Sequence, residues 1–281
     1  MHELGGSDVR ERARQGVDVA DGLRVLTLNL QHGLPAATAP DAGSRASRAT
    51  LRRAAEEVAR TEADVVLLQE VDRYHPRSGN LDQAGELARE LGMSHRFAAA
   101  LAVAPGGLLL PARRSTVRRG YGVALLSRVP VRSWHVRRLR GSGLRRMPGP
   151  WWAASGWWPD EDRVLLAGVL STPGGPLTVG VAHLSVLNGV ARRQLATCVD
   201  ALRALPGPQL LGGDLNLGPQ AVAAVTAPAG FAPLASGLTF TNAHPRKQID
   251  HLLGCGVRAG GPGRVHHLSV SDHAGIGVAL A

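Results

Sequence analysis

Cysteine is nearly absent: Cys198 and Cys255 are the only two in 281 residues. Two thiols build neither a disulfide scaffold nor a thiolate metal site, so both are expected to be reduced and structural. No apolar run approaches the roughly 20 residues that cross a bilayer as a helix. The opening stretch, MHELGGSDVRERARQGVDVADG, lacks the basic-then-apolar order of a secretion signal. No repeat of solenoid length is present either. These absences argue against a disulfide-rich module, a helical membrane protein and a repeat array. The expectation is a cytoplasmic monomer with a flexible lead over residues 1–22 and one domain over 23–281.

Acid is missing from one place in particular. From Arg113 to Arg146 there is no Asp or Glu but there are eleven arginines, while the other 21 basic residues face 22 acidic ones. The formal net charge of +10 therefore resides in that segment, and points to a local anionic partner. Four of the five tryptophans follow at once in PWWAASGWW, Trp151–Trp158. Such rings either cap a sheet edge or, beside arginines, stack on bases or lie on an anionic membrane. Residues 105–119 and 134–162, rich in Pro, Gly, Arg and Trp, read as long surface loops.

What is present is a repeated order of elements. LRVLTLNLQHG (23–33) reads as a strand ending in polar groups. A helical pattern follows in RASRATLRRAAEEVARTEA, then a second buried strand in DVVLLQEVD (64–72). A helix in LDQAGELARELGM stops at Gly92, and YGVALLSRVPV (121–131) is again a strand. The second half echoes this order: GPLTVGVAHLSV, the helix GVARRQLATCVDALRALPGP, QLLGGDLN, KQIDHLLG and SDHAGIGVALA. Asn29 matches His183 in position, and Glu70 matches Asp214. Continuous apolar runs mark strands buried on both faces. The echo predicts two stacked mixed β-sheets flanked by helices, a four-layer α/β sandwich with its functional groups at one rim.

In PQLLGGDLNLGP a greasy strand passes two glycines and ends on Asp214 and Asn216. On a strand both side chains would point to one side; in a turn they would bond their own backbone. Company decides in favour of chemistry. Six strand ends or starts carry Asn29, Glu70, His183, Asp214 with Asn216, Asp250, and Asp272 with His273. Several acids, two amides and two histidines at one rim are what divalent-metal phosphoryl chemistry needs. Mg2+ takes oxygen ligands and few carboxylates, leaving room for water and phosphate. Imidazoles move protons near neutral pH.

The segments LTLNLQHG, VVLLQEVD, YGVALLSR, VAHLS, GGDLN, QIDHLL and SDHAGI, in that order, resemble the endonuclease/exonuclease/phosphatase superfamily of deoxyribonuclease I-like phosphoesterases. The resemblance implies Mg2+ or Mn2+ held by Glu70 with Asn29 and Asp272. It implies that Asp214 orients and deprotonates the attacking water, and that Asn216 holds phosphate or that water. His273 would contact phosphate with Asp250 fixing its tautomer. His183 would either donate to a phosphate oxygen or protonate the leaving group. Nucleic acid is the expected substrate, with a phospholipid or inositol phosphate, and peripheral membrane contact, as the alternative. A non-catalytic binding protein on the same scaffold would lack a central site residue, and none is missing.

The chain also departs from its relatives. Gln31 and Asp72 stand where abasic-site endonucleases usually carry Asp or Asn and Lys, which argues against specialised abasic-site repair. Val123 stands where Asn is frequent. The glutamate that supports the middle histidine in deoxyribonuclease I-like enzymes is absent, leaving His183 without a carboxylate partner. His32 reads as a phosphate contact or a loop residue, His251 as structural. His244, Arg246 and Lys247 read as a phosphate grip or a solvated turn.

Overall fold

A computed structural model describes residues 22–147 and 156–281. The N-terminal lead through residue 21 and the middle of the tryptophan segment, residues 148–155, lie outside the described residues. The chain runs β1 (Arg24–Asn29), α1 (Arg48–Ala59), β2 (Val65–Arg73), α2 (Gln83–Leu91), β3 (Ser94–Val103), β4 (Leu109–Pro111) and β5 (Gly120–Ser127). It continues through β6 (Val131–Leu139), β7 (Gly143–Met147), β8 (Gly156–Asp160), β9 (Arg163–Thr172) and β10 (Gly175–His183). Then come α3 (Asn188–Arg203), β11 (Gln209–Asp214), α4 (Pro219–Thr226) and β12 (Ala232–Pro233). β13 (Asp250–Cys255), β14 (Arg264–His266) and β15 (Gly275–Ala279) close the chain.

Two mixed sheets result, ordered β14-β15-β1-β2-β5-β3-β4 and β12-β13-β11-β10-β9-β6. Alternation along each strand explains the four layers. In β1 and β2, Val25, Val65 and Leu67 enter the core between the sheets. Leu26, Leu28, Val66 and Leu68 turn outward under α1 and α2. The second sheet repeats this, with Val179, Val181 and Leu210 facing inward and Leu211 and Leu253 facing α3 and α4. Both faces are dry, so the sequence shows unbroken apolar runs instead of alternation. The helices start and stop where side chains satisfy their ends: Ser47 accepts from the Thr50 N–H and Asp82 from the Gly85 N–H. Gly92 ends α2 in the left-handed conformation, φ 64°.

The echo between the halves is a topological one. β1 and β2 are parallel across α1, and β10 and β11 are parallel across α3. Each pair is flanked on both sides by antiparallel strands.

The described residues of 134–162, namely 134–147 and 156–162, are not a long loop. They hold most of β6 and the separate hairpin β7–β8, in which Arg145 pairs with Trp158 and Arg146 with Trp157. Among the described residues β6 bonds only to β9, and it leaves His135, Val136 and Arg137 exposed. An edge strand in water carries charge on purpose, since arginines discourage edge-to-edge pairing, and its polarity hides it from a search for apolar runs.

Candidate active site

Parallel strands end together, and this puts the polar groups at one rim. Asn29 pairs with Gln69, immediately before Glu70, at the ends of β1 and β2. His183 pairs with Asp214 at the ends of β10 and β11, and Asp250 opens β13 opposite Asp214. The two sheets are joined there: Asn29 Nδ2 donates to Asp214 Oδ2 at 3.1 Å and to Glu70 Oε1 at 3.2 Å. The Asn29 oxygen accepts the Gln31 N–H at 3.0 Å, which fixes the amide's orientation.

Several of these residues sit in unusual backbone. Glu70 lies at an irregularity in the β2–β5 register with φ 53°, Asn216 has φ 50°, and Gln31 and His32 have φ 45° and 49°. Left-handed backbone at residues with side chains costs of order 1 kcal/mol each and collects at functional sites. Here it turns Glu70 out of the strand's alternation and into the rim.

The Asp214–Asn216 pair is a strand end and a turn at once. β11 stops at Asp214, so the two side chains do not share a strand face as period two predicts. The Asn216 N–H donates to Asp214 Oδ1 at 3.0 Å, and the Asn216 amide donates to the Leu184 carbonyl at 3.0 Å. Gly213 explains the preceding glycine. At its φ of 146°, a Cβ would lie 1.9 Å from the Ala182 carbonyl oxygen, so β10 and β11 could not pair so closely with a side chain there.

Asp214 is 2% exposed. Its Oδ2 lies 3.6 Å from His183 Nε2 and 3.7 Å from His273 Nε2, too far for direct hydrogen bonds. Burial, then the Asp250 charge, push its pKa up to about 7, against the pull of His273 and Asn29. On the other side of His273, Nδ1–H donates to Asp250 Oδ2 at 2.9 Å. Burial opposes protonation of His273, yet the Asp250 bond and charge, with Asp214 and Asp272 behind them, raise its pKa to about 9. The Phe240 ring packs 4.9 Å from the His273 ring and covers it.

Glu70 and Asp272 form the outer part of the rim. Burial works to raise the Glu70 pKa, but His32, whose Nδ1 lies 3.3 Å away, together with His183 and Asn29 hold it below the usual carboxylate range. Asp272 takes the opposite shift: burial raises it, His273 lowers it, and the nearby Glu70 charge raises it again. The Asp272 N–H is held by Gln31 Oε1 at 3.0 Å, giving Gln31 a positioning role.

All eight residues expected at the site therefore lie along one rim. Sequence reasoning missed Arg163, the first residue of β9, whose Nη1 lies 3.5 Å from His183 Nδ1. It also missed Tyr121, a buried phenol pushed well above 10 by burial and then by the Glu70 charge. Neither residue breaks its strand's pattern, and only the strand pairing brings them to the rim. Asp72, at the position where relatives carry Lys, is fully buried and held bidentately by Arg77 at 2.8 Å. His251 is buried, and its Nε2–H donates to the Leu217 carbonyl at 2.8 Å. Its role is structural.

The donors fit a hard divalent cation. Asp214, Asp250 and His273 offer atoms within 4.8 Å of one another, but the 2.9 Å contact between Asp250 and His273 is a charge-assisted hydrogen bond that already uses two of them. Glu70 and Asp272 are two acids whose charges repel, and the Asn29 NH2 faces Glu70. A bound cation would relieve that repulsion.

Two stacked sheets with acids, amides and imidazoles at one rim define a metal-dependent phosphoester hydrolase. The model of the Endonuclease/Exonuclease/phosphatase family matches residues 26–273, and the chain belongs to that family. Among solved structures it is similar to an endonuclease/exonuclease/phosphatase of Beutenbergia cavernae, 26% identical, TM-score 0.70, over 93% of this chain and 72% of that one. A mannosyl-6-phosphatase of Bacteroides thetaiotaomicron shares the fold at 14% identity and TM-score 0.63, over 92% and 99% of the two chains. So does a humanized D. rerio TDP2, at 16% identity and TM-score 0.59, over 93% and 100%. No protein of curated function matches the chain in sequence. No helix among the described residues is long and apolar enough to cross a membrane.

Proposed function

We propose that this protein hydrolyses phosphodiesters of nucleic acid by direct attack of water, with Mg2+ or Mn2+ as cofactor. Glu70, Asn29 and Asp272 would hold the cation, which neutralises phosphate charge and stabilises the leaving oxygen when bound. Asp214, with a pKa near 7, is suited to orient the attacking water and take its proton. His273, kept protonated by Asp250, supplies a positive N–H to the phosphoryl oxygens. Asn216 lines the same turn and contributes a neutral contact to phosphate or water.

The observation that carries the choice of substrate is the placing of arginine at the rim. Arg118 and Arg119 are exposed just before β5 enters the site at Tyr121, and Arg119 is braced by the Tyr74 carbonyl and Asn80 Oδ1. Arg137 and Arg140 are exposed at the end of β6, on the same side. Asp160, which closes the β7–β8 hairpin, accepts from Ser142 and from Ser185, two residues after His183. The hairpin carrying Arg145, Arg146, Trp157 and Trp158 is thus rooted beside the catalytic histidine. The basic segment is nevertheless not one patch. Arg128 and Arg132 lie at the opposite ends of β5 and β6, away from the rim.

A polyanion crossing these arginines makes activity salt-dependent. Affinity is expected to fall about tenfold between 50 and 200 mM salt for every two phosphates neutralised. The test is a panel of single- and double-stranded DNA and RNA, inositol phosphates and phospholipid vesicles, each with Mg2+, Mn2+ or chelator. Metal-dependent nucleic-acid cleavage that weakens with salt is expected. Failure to cleave any nucleic acid, with turnover of a lipid or inositol phosphate instead, would overturn the choice of substrate and keep the chemistry.

The two titrations fix a second expectation. Asp214 must be ionised to accept a proton, so activity rises as pH passes about 7; His273 must be protonated, so activity falls as pH passes about 9. A profile of kcat/KM under saturating metal is expected to be a bell between those limits. A flat profile from pH 6 to 10 would remove both residues from proton transfer.

A further inference from the structure

We propose that Arg163 is the positioning residue of His183, fixing its imidazole in the tautomer that carries the proton on Nε2. In that state His183 serves as a hydrogen-bond donor to a phosphoryl oxygen and not as the acid that protonates the leaving group. The inference rests on the phosphodiester reading above and decides between the two roles open to this histidine.

The atoms dictate the direction. Arg163 Nη1 lies 3.5 Å from His183 Nδ1. A guanidinium has only donors, so Nδ1 must be the acceptor and the proton must sit on Nε2. The other tautomer would set N–H against N–H inside the protein. A doubly protonated ring would set a cation against a cation, with Arg163 only 9% exposed and His183 only 7%. Nε2 is also the atom that looks into the site, 3.6 Å from Asp214 Oδ2. The donor is thereby aimed at the space between Asp214 and His273.

Burial opposes the Arg163 charge, but the nearby Tyr121, Glu161, Glu70 and Asp214 outweigh it and raise its pKa further. Its Nε is buried with no hydrogen-bond partner among the described residues, and its closest carboxylate is Glu161, 3.6 Å from Nη1. A buried guanidinium nitrogen without a partner is costly to folding, and Nη1 of the same group is the atom that reaches the histidine. The charged groups that face His183 are Arg163, Glu70, Asp214 and His273. Burial acts first and the Arg163 charge second, and they outweigh Glu70 to lower the His183 pKa to about 3. The two histidines are therefore built as opposites. His273 is backed by a carboxylate and stays charged, while His183 is backed by a guanidinium and stays neutral.

The experiment is long-range 1H–15N correlation NMR on uniformly labelled protein, with and without Mg2+. His183 signals are assigned by comparison with His183→Gln. A neutral Nε2–H ring that does not titrate between pH 5 and 8 is expected. In Arg163→Gln the ring is expected to titrate within that range and kcat to fall roughly tenfold to a hundredfold, with KM little changed. The double variant Arg163→Gln/His183→Gln should be no slower than His183→Gln alone, because Arg163 acts through the ring. Arg163→Lys, which keeps the charge and a donor, should restore the tautomer and serves if the Gln variant folds poorly. A proton on Nδ1 in the unmodified protein, an unchanged tautomer in both Arg163 variants, or additive losses in the double variant would overturn the assignment. The tautomer is read without turnover, so an inactive preparation would count against the phosphodiester reading and not against this one.

Discussion

Replacing Asp214 with Asn is expected to lower kcat by about 10^3-fold, the usual scale for a lost general base, and to leave the protein folded. Asp214 Oδ1 accepts the Asn216 N–H, so the new carbonyl oxygen takes that place and the new NH2 takes the place of Oδ2. There it faces the Asn29 NH2, which the Gln31 N–H orients. One hydrogen bond between the sheets is lost, a cost of about 1 kcal/mol. Against that, a carboxylate whose ionisation is opposed by burial and by Asp250 has gone, so the net change in stability is small. Catalysis has no such compensation, because an amide takes up no proton at neutral pH. The acidic limb of the pH profile near 7 should vanish with the carboxylate, leaving only the fall above about 9 from His273. Steady-state kinetics on a phosphodiester across pH 5 to 10 checks both points. Activity within tenfold of the unmodified protein, with the acidic limb retained, would assign the base elsewhere.

Much of this site was legible in sequence because the fold is built from buried strands that end abruptly. An apolar run that halts on Asn29, Glu70, His183 or Asp214 announces where the core stops and water begins. Order along the chain then implies which ends lie together, since each half contains a strand, a helix and a parallel strand. The legible part was therefore the part in which polarity changes along a strand. What stayed hidden was carried by neighbours far apart in sequence. Arg163 opens a buried strand and looks like any arginine at a strand start, and its meaning arises from β9 lying against β10. β3 escaped for a different reason: SHRFAAALAV is rich in alanine, which favours helix, and tertiary packing against β5 overrides that preference. Charge misled in the same way. Eleven arginines adjacent in sequence divide between the rim and the far end because β5 and β6 each run the length of the sandwich.

Glu70→Gln tests the proposed cation site and is expected to have an effect of the same size. Losing the principal anionic ligand removes several kcal/mol of transition-state charge stabilisation, equivalent to a fall in kcat of about 10^3-fold or more. Activity alone would not separate metal binding from proton transfer, so stability supplies the second reading. A ligand that binds only the folded state stabilises it by about 2.7 kcal/mol at a hundred times its Kd. Unmodified protein should therefore show a rise in Tm on adding Mg2+, and Glu70→Gln should lose that rise at the same concentration. In chelator the contribution of the Glu70 carboxylate to stability depends on pH in a predictable way. The folded-state pKa of Glu70 lies below its unfolded value of 4.5, so its contribution to stability is present above pH 4.5 and is lost as pH falls through the folded value. Urea unfolding at pH 7, 4.5 and 3 should show the unmodified protein losing more stability on acidification than Glu70→Gln. The glutamine variant keeps a side chain of the same shape in the left-handed backbone at φ 53°, so strain is common to both proteins and cancels in the comparison. A Glu70→Gln protein that retains the full Mg2+-induced rise in Tm would move the cation to other residues. The compact trio of Asp214, Asp250 and His273 is then the place to look, and the division of the rim into a metal half and a proton-transfer half would have to be redrawn.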